Sequence, residues 1–197
     1  MLIDLIRHGE PVGGRRYRGQ IDDPLSERGW QQMWSAVAGQ QPWDVIVTST
    51  LSRCREFALA LGQRHGIEVI EEARIVEIGF GEWEGHTAGE ICHDAPDRLQ
   101  RFYRDPVAAR PAGAERLDDF ASRVGAAWRA LQQQYTEGHV LVVTHAGVIR
   151  AITTLVLGMP ISHMFRLQVS NAGISRIRLD ADRPPVLQLH NGNLPPE

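Results

Sequence analysis

Three short runs along the chain, residues 2–6, 44–48 and 140–144, are mostly apolar and bounded by polar or turn residues. Runs of this length without regular polar alternation predict strands buried on both faces of a sheet. Between them the apolar positions recur at helical spacing. One helix is predicted over 26–38, with Ser26 as its N-cap. A second covers 51–65, with Leu51, Cys54, Ala58 and Leu61 on one face and Gly66 as its stop. A third covers 146–157 and ends at Gly158, with Pro160 just beyond. Strand–helix–strand alternation predicts an α/β fold, a three-layer sandwich with a mostly parallel central sheet. Residues 165–169, 174–179 and 186–190 read as further strands near one edge.

The stretch 74–135 breaks this rhythm. It holds a Gly-rich run with carboxylates and aromatics, then Thr87-Ala88-Gly89-Glu90, which fits a capping box, and a long helical pattern over 115–135. The expectation is a helical insertion forming a cap over the active site, within a single domain spanning 1–197. The length of 197 residues is enough for one well-buried core.

Composition narrows the chemistry. The net charge of -3 gives no global basic field for nucleic acid or anionic lipid, so an anionic ligand must be held by a local cluster. All 21 basic residues are Arg, which excludes a P-loop lysine and a Schiff-base lysine. Only 2 Cys are present, Cys54 and Cys92, so neither a disulfide framework nor a zinc–thiolate site is expected. The N-terminal residues lack a signal-peptide pattern and no apolar run would span a bilayer, so a cytoplasmic location is expected.

Three places just after predicted strands carry candidate chemistry: Arg7-His8-Gly9, Thr48 to Arg53, and Thr144 to Gly147. In an open parallel sheet the carboxyl ends of strands share one edge, where ligands gather. Arg7, His8, Arg53 and His145 can therefore converge into an anion site, and a helix opening at Ala146 would add N–H donors and its positive dipole end. Neutral imidazole is a nucleophile that a phosphomonoester dianion does not repel. Two guanidinium groups would clamp the non-bridging oxygens and stabilise the in-line transition state. A general acid is still needed, and the run from Glu77 to Gly85 supplies it: Glu77 is preferred and Glu82 is the reserve. Phe80 and Trp83 would give that carboxyl apolar surroundings, with Trp83 bordering the site.

At these residues the chain resembles the histidine phosphatase superfamily, the branch containing the phosphoglycerate mutases. The motifs are LIRHGE, DDPLSERG, TSTLSRC, EIGFGEWEG and THAGVIR, in the family order and covering most of the chain. The resemblance implies a phosphoglycerate mutase-like fold, His8 as the phosphorylated histidine, a phosphate pocket of Arg7, Arg53 and His145, Glu77 as acid/base, and neither metal nor cofactor. It is nearest to the short bacterial α-ribazole phosphatases, through GEWEG and the stretch RYRGQIDDPLSERG. That implies α-ribazole 5′-phosphate as substrate, in assembly of the cobalamin lower ligand. Many members carry an Asn phosphate contact soon after the first motif. Here Gly13, Gly14 or an Arg would take that role. Arg18, Gly19 and Gln20 are further substrate-contact candidates.

Each residue also has a plainer reading. A lone histidine after a strand is more often structural, Arg15, Arg16 and Arg18 could be a solvated loop, and Trp30, Trp34 and Trp128 fit a core. The expected partner is a small phosphomonoester, with no nucleic acid and no membrane; a homodimer is left open. The competing functions are a phosphoglycerate mutase, a broad sugar or nucleotide phosphatase, and a catalytically silent phospho-ligand binding module.

Overall fold

The computed structural model describes residues 1–38 and 42–192. Six strands form one mixed sheet: β1 (Leu2–Arg7), β2 (Val45–Thr48), β3 (Glu68–Glu71), β4 (His139–Thr144), β5 (Ile174–Arg178) and β6 (Val186–Gly192), in the order β3-β2-β4-β1-β5-β6. The first four are mutually parallel. β5 runs antiparallel to β1, and β6 antiparallel to β5.

Alternation along the central strands sorts side chains onto two cores. Ile3, Leu5, Val45, Val47, Val140 and Val142 pack on one face with helices α5 (Leu117–Gln134) and α6 (Ala146–Val156). Ile6, Ile46, Leu141 and Val143 pack on the other with α1 (Glu27–Ala36) and α2 (Ser52–His65). Helices on both faces make the three-layer sandwich, and strands covered on both sides read as near-continuous apolar runs. Ser26 caps α1 by accepting from the Gly29 N–H at 3.0 Å, and Gly66 ends α2 in the left-handed region. Among the described residues no helix is long and apolar enough to cross a membrane.

Two expectations are corrected. Residues 165–169 are not a strand: a 3-10 turn covers Ile161–Arg166, and Phe165 packs against an aromatic cluster instead of a ladder. The insertion is also shorter than 74–135. Leu117, Phe120, Val124 and Trp128 of α5 share the core beneath the sheet, so that helix is a layer of the sandwich. The short helices α3 (Ala88–Ile91), with its capping box, and α4 (Arg98–Arg104) contribute to a separate small cluster of Trp83, Ile91 and Phe102.

Candidate active site

Parallel pairing delivers the chemistry to one edge. Arg7 lies opposite Thr144, and Thr48 opposite Val143. The next residue of each strand therefore emerges beside its neighbours. His8 N–H donates to the Thr144 carbonyl at 2.9 Å and Ser49 N–H to the Val143 carbonyl at 3.0 Å, so the ladder holds the backbone one step into the site.

The His8 imidazole is buried, and its Nδ1 lies 2.7 Å from the Gly9 carbonyl. A carbonyl only accepts, so Nδ1 carries the proton and Nε2 keeps its lone pair. Burial, then the charges of Arg7 and Arg53, hold the His8 pKa well below its ordinary 6.5. His145 is fully buried with its ring centroid 5.2 Å from that of His8, in an edge-to-face arrangement. Its Nε2 sits 2.8 Å from Ser49 Oγ, which also accepts from the Leu51 N–H at 3.3 Å. Burial and then Arg53 push the His145 pKa down as well. Cys54 Sγ packs 3.6 Å from His145 Nε2, and burial pushes its thiol up, so it is an uncharged wall and not a nucleophile.

Two guanidinium groups stand beside the imidazoles without a carboxylate partner among the described residues. Arg7 Nη1 donates to the Val169 carbonyl at 2.8 Å. Arg53, 1% exposed, donates to the Ile21 and Gly19 carbonyls at 2.7 and 2.8 Å. The buried Nε of each has no partner among the described residues. Burial lowers the Arg7 pKa to about 10, which leaves it charged at neutral pH. A buried donor without a partner typically costs about 1–3 kcal/mol, so such atoms mark a function when they cluster.

Glu77 reaches the same edge from the loop after the 3-10 turn Ala73–Ile75. Its Oε1 accepts from the Ile78 and Gly147 N–H groups, both at 3.0 Å. Gly147 is required here: a Cβ would stand 2.2 Å from that oxygen. A similar constraint joins the first motif to the start of α1, where a Cβ on Gly9 would lie 2.2 Å from the Gly29 carbonyl oxygen.

The resulting cleft encloses about 990 Å³. Arg7, His8, Arg53, Glu77, Ala146, Gly14, Arg18 and Gly19 line it. His145 stands behind His8. Gly13 and Gln20 do not line it; Gln20 Nε2 donates to the Glu77 carbonyl at 3.3 Å and so braces that loop. Arg18 is largely committed, donating to Asp23 at 2.9 Å and to the Val12 carbonyl at 2.5 Å. Two expectations fail. Trp83 is 2% exposed in the small aromatic cluster and does not border the cleft; Phe80 does. Glu82 is exposed to solvent away from the cleft, which removes it as the reserve acid.

Sequence reasoning missed Arg150, Tyr17, Tyr103, Phe165 and Gln168 in the cleft, and Ser49 beside His145. Arg150 had a usable signal: it lies three residues beyond Gly147 on the same helix, and residues so spaced share a face. Among the described residues no group of three or more His, Cys, Asp or Glu is placed to hold a metal ion.

Residues 3–192 match the histidine phosphatase superfamily, branch 1. The chain belongs to that superfamily. Phosphoserine phosphatase 1 of Hydrogenobacter thermophilus is 32% identical over 192 residues, covering 94% of this chain and 90% of that protein. The mycobacterial glucosyl-3-phosphoglycerate phosphatase structure is similar at a TM-score of 0.87 and 28% identity, covering 98% of this chain and 99% of that one. An α-ribazole phosphatase from Shigella flexneri is similar at 0.83 and 25% identity, covering 98% and 96%. These superfamily members are named for three different phosphorylated compounds, so membership fixes the class of chemistry and leaves the leaving group open.

Proposed function

We propose that the chain is a cytoplasmic, metal-independent phosphomonoesterase, acting as one unit through a phosphohistidine on a small phosphorylated metabolite. The observation that carries this reading is the Nδ1–H bond from His8 to the Gly9 carbonyl, 2.7 Å long, beside two guanidinium groups without counter-ions. It supports an unprotonated Nε2 aimed at an electropositive hollow. Nε2 attacks phosphorus and the P–O bond to the alcohol breaks. Arg7 and Arg53 stabilise the charge on the non-bridging oxygens, while His145 supports the His8 ring edge-on from behind. Glu77 gives its proton to the departing alkoxide. Water then attacks the phosphoryl group on His8, Glu77 takes its proton, and inorganic phosphate leaves with His8 restored.

The substrates considered are α-ribazole 5′-phosphate, which the sequence motifs favour, and the phosphoserine and glucosyl-3-phosphoglycerate named by the other similar proteins. A cleft of about 990 Å³ exceeds what a phosphate group needs and leaves room for the alcohol of a small metabolite.

The test is trapping. Brief incubation with a ³²P-labelled phosphoester, in chelator, should leave acid-labile, base-stable label on His8. His8→Ala should lose the label and about 10⁵-fold or more of kcat/KM on p-nitrophenyl phosphate. Turnover that requires added metal, or a variant as active as the parent, refutes the reading. Ligand binding without any turnover would instead indicate the silent binding module.

A further inference from the structure

Resting on the phosphatase reading, the charges in the cleft point to the kind of alcohol released. Six arginines line it: Arg7, Arg15, Arg16, Arg18, Arg53 and Arg150. Arg18 is paired with Asp23 at 2.9 Å and Arg16 approaches Glu90 at 3.6 Å. Glu10, one of two lining carboxylates, faces Arg28 at 3.7 Å. Among the described residues that leaves Arg7, Arg53, Arg15 and Arg150 without a carboxylate in contact. A phosphomonoester dianion answers the first two. Arg15 is exposed, where water and salt screen it.

Arg150 is different. It is half-buried on α6, and Glu77 is the nearby charge that acts on it most. Its Nε donates to the Leu167 carbonyl at 2.8 Å, and its guanidinium lies 5.7 Å from the Phe165 ring centroid. Nε is thereby occupied, while neither Nη makes a hydrogen bond among the described residues. Tyr17 and Tyr103, joined through their hydroxyls at 2.6 Å, also line the cleft. In the proposed reaction Glu77 protonates the bridging oxygen, so a cation that shares the cleft with Glu77 and acts on it is placed to meet the alcohol.

We infer that Arg150 is a specificity-determining residue that binds a carboxylate on the leaving alcohol. Its two free Nη groups match the two oxygens of a carboxylate. One surplus half-buried cation matches one further negative charge. Of the three substrates considered above, phosphoserine and glucosyl-3-phosphoglycerate carry that carboxylate; the alcohol of α-ribazole phosphate does not. This ranks the carboxylate-bearing esters above the substrate the motifs favour.

The test uses two three-carbon esters that differ at one position. 3-Phosphoglycerate carries a carboxylate where glycerol 3-phosphate carries a hydroxymethyl group. The wild-type enzyme should prefer 3-phosphoglycerate by about tenfold or more in kcat/KM, as a charge-assisted pair gives. In Arg150→Gln that ratio should fall close to one, mainly through a higher KM for 3-phosphoglycerate, while Arg150→Lys should keep part of it. The ratio does not depend on how much of the variant folds, because a loss of active enzyme lowers the rate on both esters alike. A wild-type ratio near one, or a ratio that survives Arg150→Gln, overturns the inference. So does a gain confined to fructose 1,6-bisphosphate over fructose 6-phosphate, which would mean a second phosphate is read. Turnover of p-nitrophenyl phosphate with label on His8 shows in the same experiment that the phosphatase reading stands even if this one falls.

Discussion

Strand β1 carries a charged side chain near each end, and the two are treated in opposite ways. Toward its amino end, Asp4 is fully buried and accepts from Trp43 Nε1 at 2.9 Å, His139 Nε2 at 2.9 Å, and Arg176 Nε and Nη2 at 2.8 and 3.0 Å. Burial opposes its ionisation, but the bonds from His139, Arg176 and Trp43 outweigh that and hold its carboxyl below the ordinary value. Three residues on, about 10 Å away along the strand, Arg7 and His8 stand with Arg53 and His145, and among the described residues no acid touches either guanidinium. A satisfied network stabilises a fold. A set of like charges held together without counter-ions costs stability, and persists where a ligand supplies the missing charge. The same strand therefore holds a rivet at one end and a receptor at the other.

Exchanging the readouts tests that division. Arg53→Ala removes one donor from the receptor end and should lower kcat/KM on p-nitrophenyl phosphate by about 10²–10³. Asp4→Ala removes the hub of the other end and should destabilise the protein by about 3 kcal/mol, at the low end for a broken buried pair because Arg176 keeps some solvent contact. For a chain of this length that is a fall in melting temperature of roughly 6–12 °C, with kcat of the folded enzyme unchanged at low temperature. Scanning calorimetry and steady-state rates on both variants separate the roles. If Asp4→Ala lowered kcat as steeply as Arg53→Ala, the two ends would not be independent.

The loop over the receptor allows a finer test. Gly147→Ala places a Cβ where Glu77 Oε1 now sits, so Glu77 must move. The expected loss is about ten- to hundredfold, the range of a misplaced general acid. It should be larger for an alkyl phosphate than for p-nitrophenyl phosphate, whose leaving group needs little protonation. Equal losses on both substrates would mean that Glu77 does not deliver the proton.

The sequence showed the receptor's floor and not its walls. β1, β2 and β4 were legible within a residue or so because both faces of each are covered, which leaves an apolar run as its trace. β3 was not: Glu68 and Glu71 are exposed at its two ends, and an edge strand of four residues carries little pattern. Arg7, His8, Arg53 and His145 were legible because parallel strands must deliver their carboxyl ends to one edge. Arg150, Tyr17 and Tyr103 reach the cleft from a helix flank, a loop and α4, and that meeting is set by packing between distant segments. Trp83 and Glu82 were misplaced for a related reason. The 3-10 turn Gly81–Trp83 sends Trp83 inward to Phe102, ring centroids 5.1 Å apart, and leaves Glu82 facing solvent.

The smallest effect is a slope of stability against pH, and it separates the two ends by where they titrate. His8 and His145 are buried in the neutral form, with folded pKa values well below the ordinary 6.5. Below pH 6.5 the unfolded chain takes up protons that the native chain refuses, so stability falls as pH falls, by up to about 1.4 kcal/mol per pH unit for each histidine. Asp4 also has a lowered pKa, but from an ordinary 3.8, so its contribution is complete above that value and is lost only as pH drops through the folded pKa. Below pH 6.5 and above the ordinary carboxylate range the receptor end therefore loses stability while Asp4 keeps its contribution. Urea unfolding across that window should show the slope in the wild type, and His8→Gln should flatten it by close to one proton. An unchanged slope in His8→Gln would mean that His8 is not held neutral by its surroundings, and the nucleophile would lose the feature that makes it competent at neutral pH.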